Sequence, residues 1–259
     1  MKRILIAGAN SYIGTSFEEY MKKYEGEYQV HTIDMMDVSW REKDFSTYDA
    51  VYHVAGIAHR KETKENASLY YTVNRDLAIE VAMKAKAEGV KQFVFLSSMS
   101  VYGKETGVID SETRPAPKSN YGKSKLQAEE KLAELSCETF KISVLRPPMV
   151  YGQGCKGNYQ TLVKIARKFP VFADFKNERS MIFIDTLSSF VKGVIDRSES
   201  GCFLPQDENY VCTCKMIQEI ALSQGKKMKL LKILNPLVWV LKVATKKGKK
   251  AFGNLIYKK

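Results

Sequence analysis

The stretch that decides the fold lies near the N-terminus, where Lys2-Arg3-Ile4-Leu5-Ile6-Ala7 runs directly into Gly8-Ala9-Asn10-Ser11-Tyr12-Ile13-Gly14. The first six residues form a short apolar run typical of a buried β-strand, and helical spacing of apolar residues begins at Tyr12. Glycines between a strand and a helix let the backbone turn tightly, and they let a helix N-terminus approach a pyrophosphate. Such a turn also occurs for purely structural reasons, so its meaning depends on the rest of the chain.

The alternation of strand and helix continues for about 150 residues. The patterns predict strands at 28–33, 50–54, 92–96 and 141–145, and helices at 12–24, 66–88 and about 121–135. Strands that alternate with helices form a parallel sheet covered on both faces, and ligands bind at the carboxyl ends of its strands. We therefore expect an α/β fold in which residues 1–150 form a Rossmann-type, doubly wound parallel sheet that binds a dinucleotide.

The regular alternation ends after Pro147-Pro148. Helical spacing recurs at 158–168, 187–196, 213–223 and 230–243, where Pro236 interrupts the last pattern, and one short strand is predicted at 181–184. This pattern predicts a smaller, discontinuous, substrate-binding lobe over 151–259. Elements of the first domain are expected to return within 180–200.

Composition excludes several classes of protein. The chain has 259 residues, of which 44% are hydrophobic and 27% charged, and no apolar run reaches the ~18 residues that a transmembrane helix needs. The apolar N-terminal run is too short for a signal peptide, which predicts a cytoplasmic protein. Five cysteines occur without a C-x-x-C pair or histidines at ligand spacing, so we expect free thiols and no metal site.

The net charge of +12 is concentrated at the C-terminus, because residues 226–259 hold eleven lysines and no acid. Without that segment the charge is about +1, too small for a nucleic-acid-binding body, so we expect no nucleic-acid partner.

The apolar run at 230–244, followed by Lys246-Lys247-Gly248-Lys249-Lys250, has two interpretations. It is either an interfacial helix on anionic lipid or a helix packed on the second lobe beside solvated lysines. The second interpretation is favoured, because Pro236 interrupts the pattern.

Asp34 makes the glycine turn more informative. It lies about twenty residues beyond the turn, at the end of the second predicted strand, where a carboxylate accepts hydrogen bonds from both hydroxyls of an adenosine ribose. The same charge repels a 2′-phosphate, which favours NAD over NADP. The alternative is an ordinary turn residue at a strand end.

Two further groups point to proton transfer. In Tyr121-Gly122-Lys123-Ser124-Lys125, the i, i+4 spacing places Tyr121 and Lys125 on one face of a predicted helix. A free tyrosine has a pKa of ~10 and needs a shift of roughly three units to act as a base, which a lysine and a cationic nicotinamide ring would supply. Ser97 and Ser98 end the fourth strand, where a hydroxyl can bind the same substrate oxygen. The alternatives are an amphipathic helix and a strand-end cap.

Taken in order, these motifs resemble the extended short-chain dehydrogenase/reductase family, nearest to its nucleotide-sugar epimerases and dehydratases. The resemblance spans about residues 2–200. The motifs that carry it are Gly8–Gly14, His53-Val54-Ala55-Gly56, Val73-Asn74, Ser97-Ser98 with Val101-Tyr102-Gly103, Tyr121–Lys125, Leu145-Arg146-Pro147-Pro148 and Asn177–Asp185.

The resemblance implies a role for each matched residue. It makes Ser98, Tyr121 and Lys125 the catalytic set, with Ser98 and Tyr121 also touching the substrate, and assigns the substrate diphosphate to Arg179 and Asn158. The implied cofactor contacts are Gly8, Asn10, Ser11, Tyr12, Ile13, Gly14, Asp34, Ala55, Gly56, Asn74, Lys125 and Pro147. A homodimer is also implied, through a four-helix contact that uses the helix at 66–88 and the helix carrying Tyr121.

Departures from the family pattern narrow the implied reaction. The 4,6-dehydratases carry an Asp-Glu pair after the active-site hydroxyl residue, because elimination of water needs an acid and a base at neighbouring carbons. Here Met99-Ser100 occupies those positions. Keto-sugar reductases usually draw on NADPH, which Asp34 disfavours. The remaining reaction is NAD-dependent C4 epimerisation of a nucleotide sugar, a UDP-hexose or UDP-N-acetylhexosamine, for carbohydrate metabolism such as polysaccharide biosynthesis.

Two other departures bear on the site. Ser11 replaces the central glycine of the turn, so its side chain must either point away from the pyrophosphate or donate a hydrogen bond to it. Family members that this chain resembles normally continue for some dozens of residues past this point, so two interpretations stay open. The second lobe is either naturally short or a fragment. The alternatives left open are a reductase or dehydratase of the same family, or a non-catalytic NAD-binding protein.

Overall fold

The computed structural model describes residues 1–58, 60–155 and 157–259, without the side chains of Asn158, Lys246 and Lys247. The chain divides into two compact units. Unit 1 comprises residues 1–103, 115–148 and 183–205, and unit 2 comprises residues 104–114, 149–182 and 206–259. Each unit is therefore assembled from stretches that are distant in the sequence.

The strands and helices follow one another along both units. The strands are β1 (Lys2–Ala7), β2 (Tyr28–Ile33), β3 (Ala50–His53), β4 (Gln92–Leu96), β5 (Gly107–Ile109), β6 (Lys141–Leu145), β7 (Met149–Tyr151), β8 (Val171–Ala173), β9 (Met181–Phe183), β10 (Gly201–Phe203), β11 (Lys229–Leu231) and β12 (Leu255–Tyr257). The helices are α1 (Tyr12–Met21), α2 (Ala67–Tyr71), α3 (Leu77–Ala87), α4 (Asn120–Leu135), α5 (Asn158–Lys168), α6 (Ile184–Asp196), α7 (Thr213–Ser223), α8 (Asn235–Ala244) and α9 (Lys246–Phe252).

Unit 1 is built on a six-stranded parallel sheet in the order β10-β6-β4-β3-β1-β2. Ala7 of β1 pairs with Ile33 of β2 on one side and with His53 of β3 on the other, so the carboxyl ends of these strands are level. The strand order reverses between β1 and β3, and doubly wound sheets bind ligands beyond the strand ends at such a switch point. The predicted α/β fold with a parallel sheet is confirmed.

Helices cover both faces of this sheet. On one face, Phe17 of α1 packs edge-on against Tyr52 of β3, with ring centroids 5.1 Å apart. On the other face, Val81 of α3 and Leu132 of α4 are buried in one cluster with Phe93 of β4. Because both faces are covered, the central strands read as nearly continuous apolar runs.

The predicted helix at 66–88 differs from the helix in the structure. It consists of α2, a π-helical turn at Thr72–Asp76 and α3. Such turns insert an extra residue into a helix and occur frequently at functional sites. Hydrophobic spacing over a long window does not reveal one inserted residue, so the pattern predicted a single continuous helix.

Unit 2 has a small core of its own between α5 and α7, which includes Leu162, Ala166, Met216 and Ile217. Strand β8 pairs with β11, and β5 pairs with β12. No helix in the described part of the chain is both long and apolar enough to cross a membrane.

The predicted helix at 230–243 is also different. Residues 229–231 form β11, Lys232–Leu234 form a 3-10 turn, and the helix α8 begins only at Asn235. Pro236 lies in the first turn of α8, where the missing N–H has no intrahelical partner to lose. The expectation that Pro236 interrupts the helix is therefore wrong, because this proline helps to start it.

Candidate active site

The glycine turn lies at the switch point of the sheet. Gly8 has φ +135°, which side-chain-bearing residues rarely adopt, and a Cβ at this position would lie 2.7 Å from the backbone nitrogen of Ala55. A Cβ at Gly14 would lie 2.6 Å from Ser11 Oγ and 3.2 Å from Gly8 O. Both positions therefore require glycine, and the turns after β1 and β3 are in direct backbone contact.

Ser11 is the N-cap of α1. Its Oγ accepts a hydrogen bond from Gly14 N at 3.0 Å, which satisfies one of the free donors at the helix start. This contact explains how a serine replaces the central glycine of the turn, since its side chain serves the helix. The preceding residue, Asn10, has φ +61°, a left-handed conformation that asparagine tolerates better than most residues.

These residues fit a dinucleotide. A helix N-terminus favours phosphate, and the glycines keep side chains out of the turn in front of it. Asp34 directly follows β2, is exposed, and accepts a hydrogen bond from Met36 N through Oδ1 (2.9 Å). The other predicted contacts lie at the same strand ends or helix start: Tyr12 and Ile13 in the first turn of α1, Ala55 and Gly56 after β3, and Pro147 after β6.

Asn74 lies in the π-helical turn and is fully buried. Its Oδ1 accepts from Ile57 N at 2.7 Å, and its Nδ2 donates to Ile57 O and to Ser124 Oγ, both at 3.2 Å. The structure thus places Asn74 as a link between the segment after β3 and helix α4. A direct contact of Asn74 with the cofactor stays a prediction.

Tyr121 and Ser98 meet at the carboxyl edge of β4. Tyr121 lies in the first turn of α4, and its phenol lies close enough to the Ser98 side chain for that hydroxyl to lower the tyrosine pKa. Ser98 Oγ also accepts from Ser100 N at 3.1 Å, in the 3-10 turn that follows. A Cβ on Gly122 would lie 2.6 Å from Ser100 O, so α4 packs directly against that turn. Close packing of two distant segments therefore holds the two hydroxyls together.

The adjacent serine has a different environment. Ser97 is buried and donates a hydrogen bond to Glu129, whose carboxylate pairs with Arg146 at 2.5 Å between Oε2 and Nη2. Arg146 Nη1 in turn donates to Tyr102 Oη at 2.9 Å. The structure separates the two serines, because Ser98 lies against Tyr121 whereas Ser97 belongs to a buried charged network.

Lys125 lies one turn along α4 from Tyr121 and is only 4% exposed. Its Nζ donates to Leu96 O at 2.7 Å and lies 4.6 Å from the centre of the Phe95 ring. A methyl group on Gly56 would lie 3.3 Å from this Nζ, so the glycine after β3 makes room for it. The two strand ends and α4 therefore converge on the lysine.

The pKa values of this pair depart from the expectation. Burial raises the pKa of Tyr121, against the effect of the nearby Ser98 hydroxyl. Burial also lowers the pKa of Lys125 to about 7, although Glu129 acts in the opposite direction. A lysine with that pKa is about half protonated at neutral pH. The protein's side chains alone therefore do not produce the expected lowering of the Tyr121 pKa by Lys125.

Two carboxylates that support this site were not predicted from the sequence. Glu62 caps the start of α4, since its Oε2 accepts from Asn120 N at 3.0 Å and its Oε1 from Tyr121 N at 3.1 Å. No sequence signal pointed to it, because it lies in an irregular segment far from α4 in the chain. Glu129, in contrast, follows Lys125 at i+4, so helical spacing in the sequence could have identified it as a neighbour of the lysine.

The two residues predicted to bind the substrate diphosphate, Arg179 and Asn158, belong to unit 2. Arg179 pairs through its backbone with Val211, and its Nη1 donates to Gly253 O at 2.9 Å. Burial lowers the pKa of its guanidinium. Asn158 is the first residue of α5, and its side chain lies outside the described part of the structure. Within the described residues, no group of three or more His, Cys, Asp or Glu side chains is placed to hold a metal ion.

The sequence and the fold both match known proteins. A family model described as the NAD dependent epimerase/dehydratase family matches residues 4–198. The chain is 30% identical over 251 residues to UDP-glucose 4-epimerase of Vibrio cholerae, covering 87% of this chain and 76% of that relative. It is 27% identical over 215 residues to N-acetyl-alpha-D-glucosaminyl-diphospho-ditrans,octacis-undecaprenol 4-epimerase of Escherichia coli O157:H7, covering 76% of this chain and 64% of that relative.

A solved structure shares the fold. The dTDP-4-dehydrorhamnose reductase of Bacillus anthracis, in complex with NADP, superimposes with a TM-score of 0.72 at 21% identity, covering 89% of this chain and 84% of the reductase. At that identity the likeness concerns the fold alone, so it does not distinguish a reductase from an epimerase.

Proposed function

Since the chain belongs to the NAD-dependent epimerase/dehydratase family, we propose that it epimerises C4 of a UDP-hexose or UDP-N-acetylhexosamine through a 4-keto sugar. The observation that carries the proposal is the placement of the Ser98 hydroxyl by the Tyr121 phenol, on the helix that also carries buried Lys125. Met99-Ser100 follows Ser98, where a dehydratase has acids. This set handles one proton at one oxygen, which is the proton transfer that epimerisation needs beside the hydride exchange that a cofactor would supply. Elimination of water needs an acid and a base at neighbouring carbons.

NAD is the cofactor of this family, and the segment Gly8–Gly14 together with Asp34 would hold it. The chemistry that it supplies when bound is reversible hydride acceptance at the sugar carbon. The Asp34 carboxylate directly follows β2, where it would accept hydrogen bonds from a ribose and would repel a 2′-phosphate, so we propose that NAD is preferred over NADP.

The chain's own residues would transfer one proton and orient the substrate oxygen that carries it. Tyr121 Oη takes the proton of the sugar 4-hydroxyl when C4 is oxidised and returns it when C4 is reduced. Ser98 Oγ, which lies by the phenol, orients the same substrate oxygen. Lys125, with a pKa of about 7 and its Nζ held by Leu96 O, can bind or release a proton near neutral pH. Arg179 would bind the diphosphate.

The test is to incubate the purified full chain with UDP-glucose or UDP-N-acetylglucosamine, without added cofactor, and to follow the galacto epimers by NMR. We expect epimer formation that Tyr121→Phe abolishes. Tyr28→Phe is the matched control, because Tyr28 lies at the amino end of β2, on the opposite edge of the sheet, and also loses one hydroxyl contact. No epimer from either sugar, or full activity in Tyr121→Phe, would overturn the proposal.

A sugar diphosphate carried on a lipid is a second candidate substrate. One observation favours it, namely the exposure of large apolar side chains on α8, where Leu237 is 61% and Trp239 66% exposed. The Escherichia coli relative carries such a substrate in its name. Supplying N-acetylglucosamine as the UDP sugar and as the polyprenyl diphosphate sugar, in parallel reactions, separates the two candidates.

A further inference from the structure

Helix α8 exposes the apolar side chains that a packed helix would bury. Leu237, Trp239 and Val243 are 61%, 66% and 58% exposed, and Val238 is its buried residue. Amphipathic helices on globular proteins normally turn their apolar face to the core. The expectation that this segment packs on the second lobe is therefore wrong for most of the helix.

The exposed side chains share one broad face. Successive residues of an α-helix are separated by about 100°, so Leu237, Val240 and Leu241 lie within about 100° of one another. Val243 and then Trp239 extend the apolar arc to about 200°, and Val238 and Lys242 lie on the remaining side. The face extends beyond the helix start, because Ile233 in the preceding turn is 83% exposed.

Contacts at its two ends hold α8 in place. Asn235 Nδ2 donates to Asp174 O at 2.8 Å where the helix begins. Where it ends, a Cβ on Gly248 of α9 would lie 1.9 Å from Leu241 O, so the backbones of the two helices are in direct contact. The apolar face is thus presented on a fixed element of unit 2.

The segment that carries this face is rich in positive charge. Lys242, Lys249 and Lys250 are exposed, and residues 226–259 contain no acid. A cavity at the amino ends of the paired strands β8 and β11 is lined by Arg167, Lys168, Phe169, Pro170, Lys226 and Lys227. Strand β11 spans about 10 Å and connects this cationic cavity to the turn that precedes α8.

We propose that α8 lies in the surface of an anionic phospholipid bilayer. Trp239 and the aliphatic side chains would enter the boundary between headgroups and acyl chains, while the lysines contact the headgroups. With ten residues, α8 is about 15 Å long, half the thickness of the hydrocarbon core, so it attaches and does not span. A second copy of this chain fits less well, because its lysines would face these lysines.

The charge part of the proposal is tested by co-sedimentation of the full chain with phosphatidylcholine vesicles, with and without 30% phosphatidylglycerol. We expect binding to the anionic vesicles alone, weakened by salt. Lys249→Gln with Lys250→Gln should weaken it about 25-fold, since each lysine near such a surface contributes roughly a five-fold factor. Lys43→Gln with Lys91→Gln removes the same charge from exposed positions of unit 1 and should leave binding unchanged.

The apolar part is tested by Leu237→Ser with Trp239→Ser, which should abolish vesicle binding. Leu222→Ser is the matched control, because Leu222 is 68% exposed on α7. The chain has two tryptophans and Trp40 is buried, so a vesicle-dependent blue shift of the fluorescence reports Trp239.

Three outcomes would overturn the proposal. They are no binding to anionic vesicles, equal binding to neutral ones, and a dimer on gel filtration that Leu237→Ser with Trp239→Ser dissociates, which would assign the face to a second copy. The outcome does not depend on the sugar substrate, so failure of this proposal and failure of the proposed epimerase activity are distinguishable.

Discussion

The glycine turn after β1 and the segment after β4 that holds Ser97 and Ser98, the proposed catalytic edge, lie on the same sheet but are fixed in different ways. Backbone geometry fixes the turn, since Gly8 has a positive φ and touches the backbone of Ala55. Side chains from distant segments fix the catalytic edge, where Ser97 binds Glu129 and Glu129 binds Arg146. Substitutions at the glycine turn should therefore strain the backbone, whereas substitutions in the Glu129–Arg146 pair at the catalytic edge should leave a buried charge unpaired.

Glu129→Gln should give the largest effect on stability. The change leaves the Arg146 guanidinium, whose side chain is 14% exposed, without a charged partner. Loss of one partner of a buried pair costs about 3–5 kcal/mol of the free energy of unfolding. Urea unfolding measures this loss of stability. Glu134→Gln is the control, because the pair of Glu134 with Lys131 is exposed and contributes little. Equal stability of the two variants would mean that the Glu129 pair does not hold this edge.

Substitution of the adjacent serines sharpens the comparison within the catalytic edge. Ser98→Ala should lower kcat by about 10²-fold with little change in stability, because it removes the hydroxyl next to Tyr121. Ser97→Ala should instead lower the free energy of unfolding by about 1–2 kcal/mol and largely preserve kcat. The reverse assignment would show that Ser97 is the catalytic serine.

Gly8→Ala tests the backbone side of the comparison. A methyl group 2.7 Å from Ala55 N, on a residue with φ +135°, should destabilise the protein by about 1–3 kcal/mol and abolish NAD binding. Calorimetric titration with NAD and urea unfolding measure the two effects. Gly26→Ala is the control, because nothing lies within 4 Å of the added methyl group. Unchanged NAD affinity in Gly8→Ala would contradict a tight turn at the cofactor site.

The smallest expected effect is a pH dependence from Lys125. Burial lowers its pKa to about 7 from a free value of about 10.5, so between these pH values the unfolded chain binds more protons than the folded one. The free energy of unfolding contributed by Lys125 therefore rises by about 1 kcal/mol between pH 7 and pH 8. Lys125→Met should remove that rise, and the difference between the two unfolding profiles isolates it. Parallel profiles would show that the lysine is not held in a desolvated site.

The sequence was informative where contacts are local. The alternation of apolar runs with helical spacing predicted β1 to β4, and the glycine turn with Asp34 predicted NAD, the cofactor of the family that matches. Spacing along one helix singled out Tyr121 and Lys125, which lie on α4.

Features that depend on long-range contacts were missed. Glu62 reaches α4 only through the tertiary fold, and the lowered pKa of Lys125 comes from burial that no spacing shows. The exposure of α8 was also missed, because an apolar pattern does not reveal whether a partner element covers it.

The most direct test of C4 epimerisation through oxidation and return of the same hydrogen uses UDP-glucose with deuterium at C4. We expect a galacto product that keeps its deuterium at C4 in ordinary water, and no product from Tyr121→Phe. Loss of deuterium to solvent during epimerisation, or product from Tyr121→Phe, would contradict it.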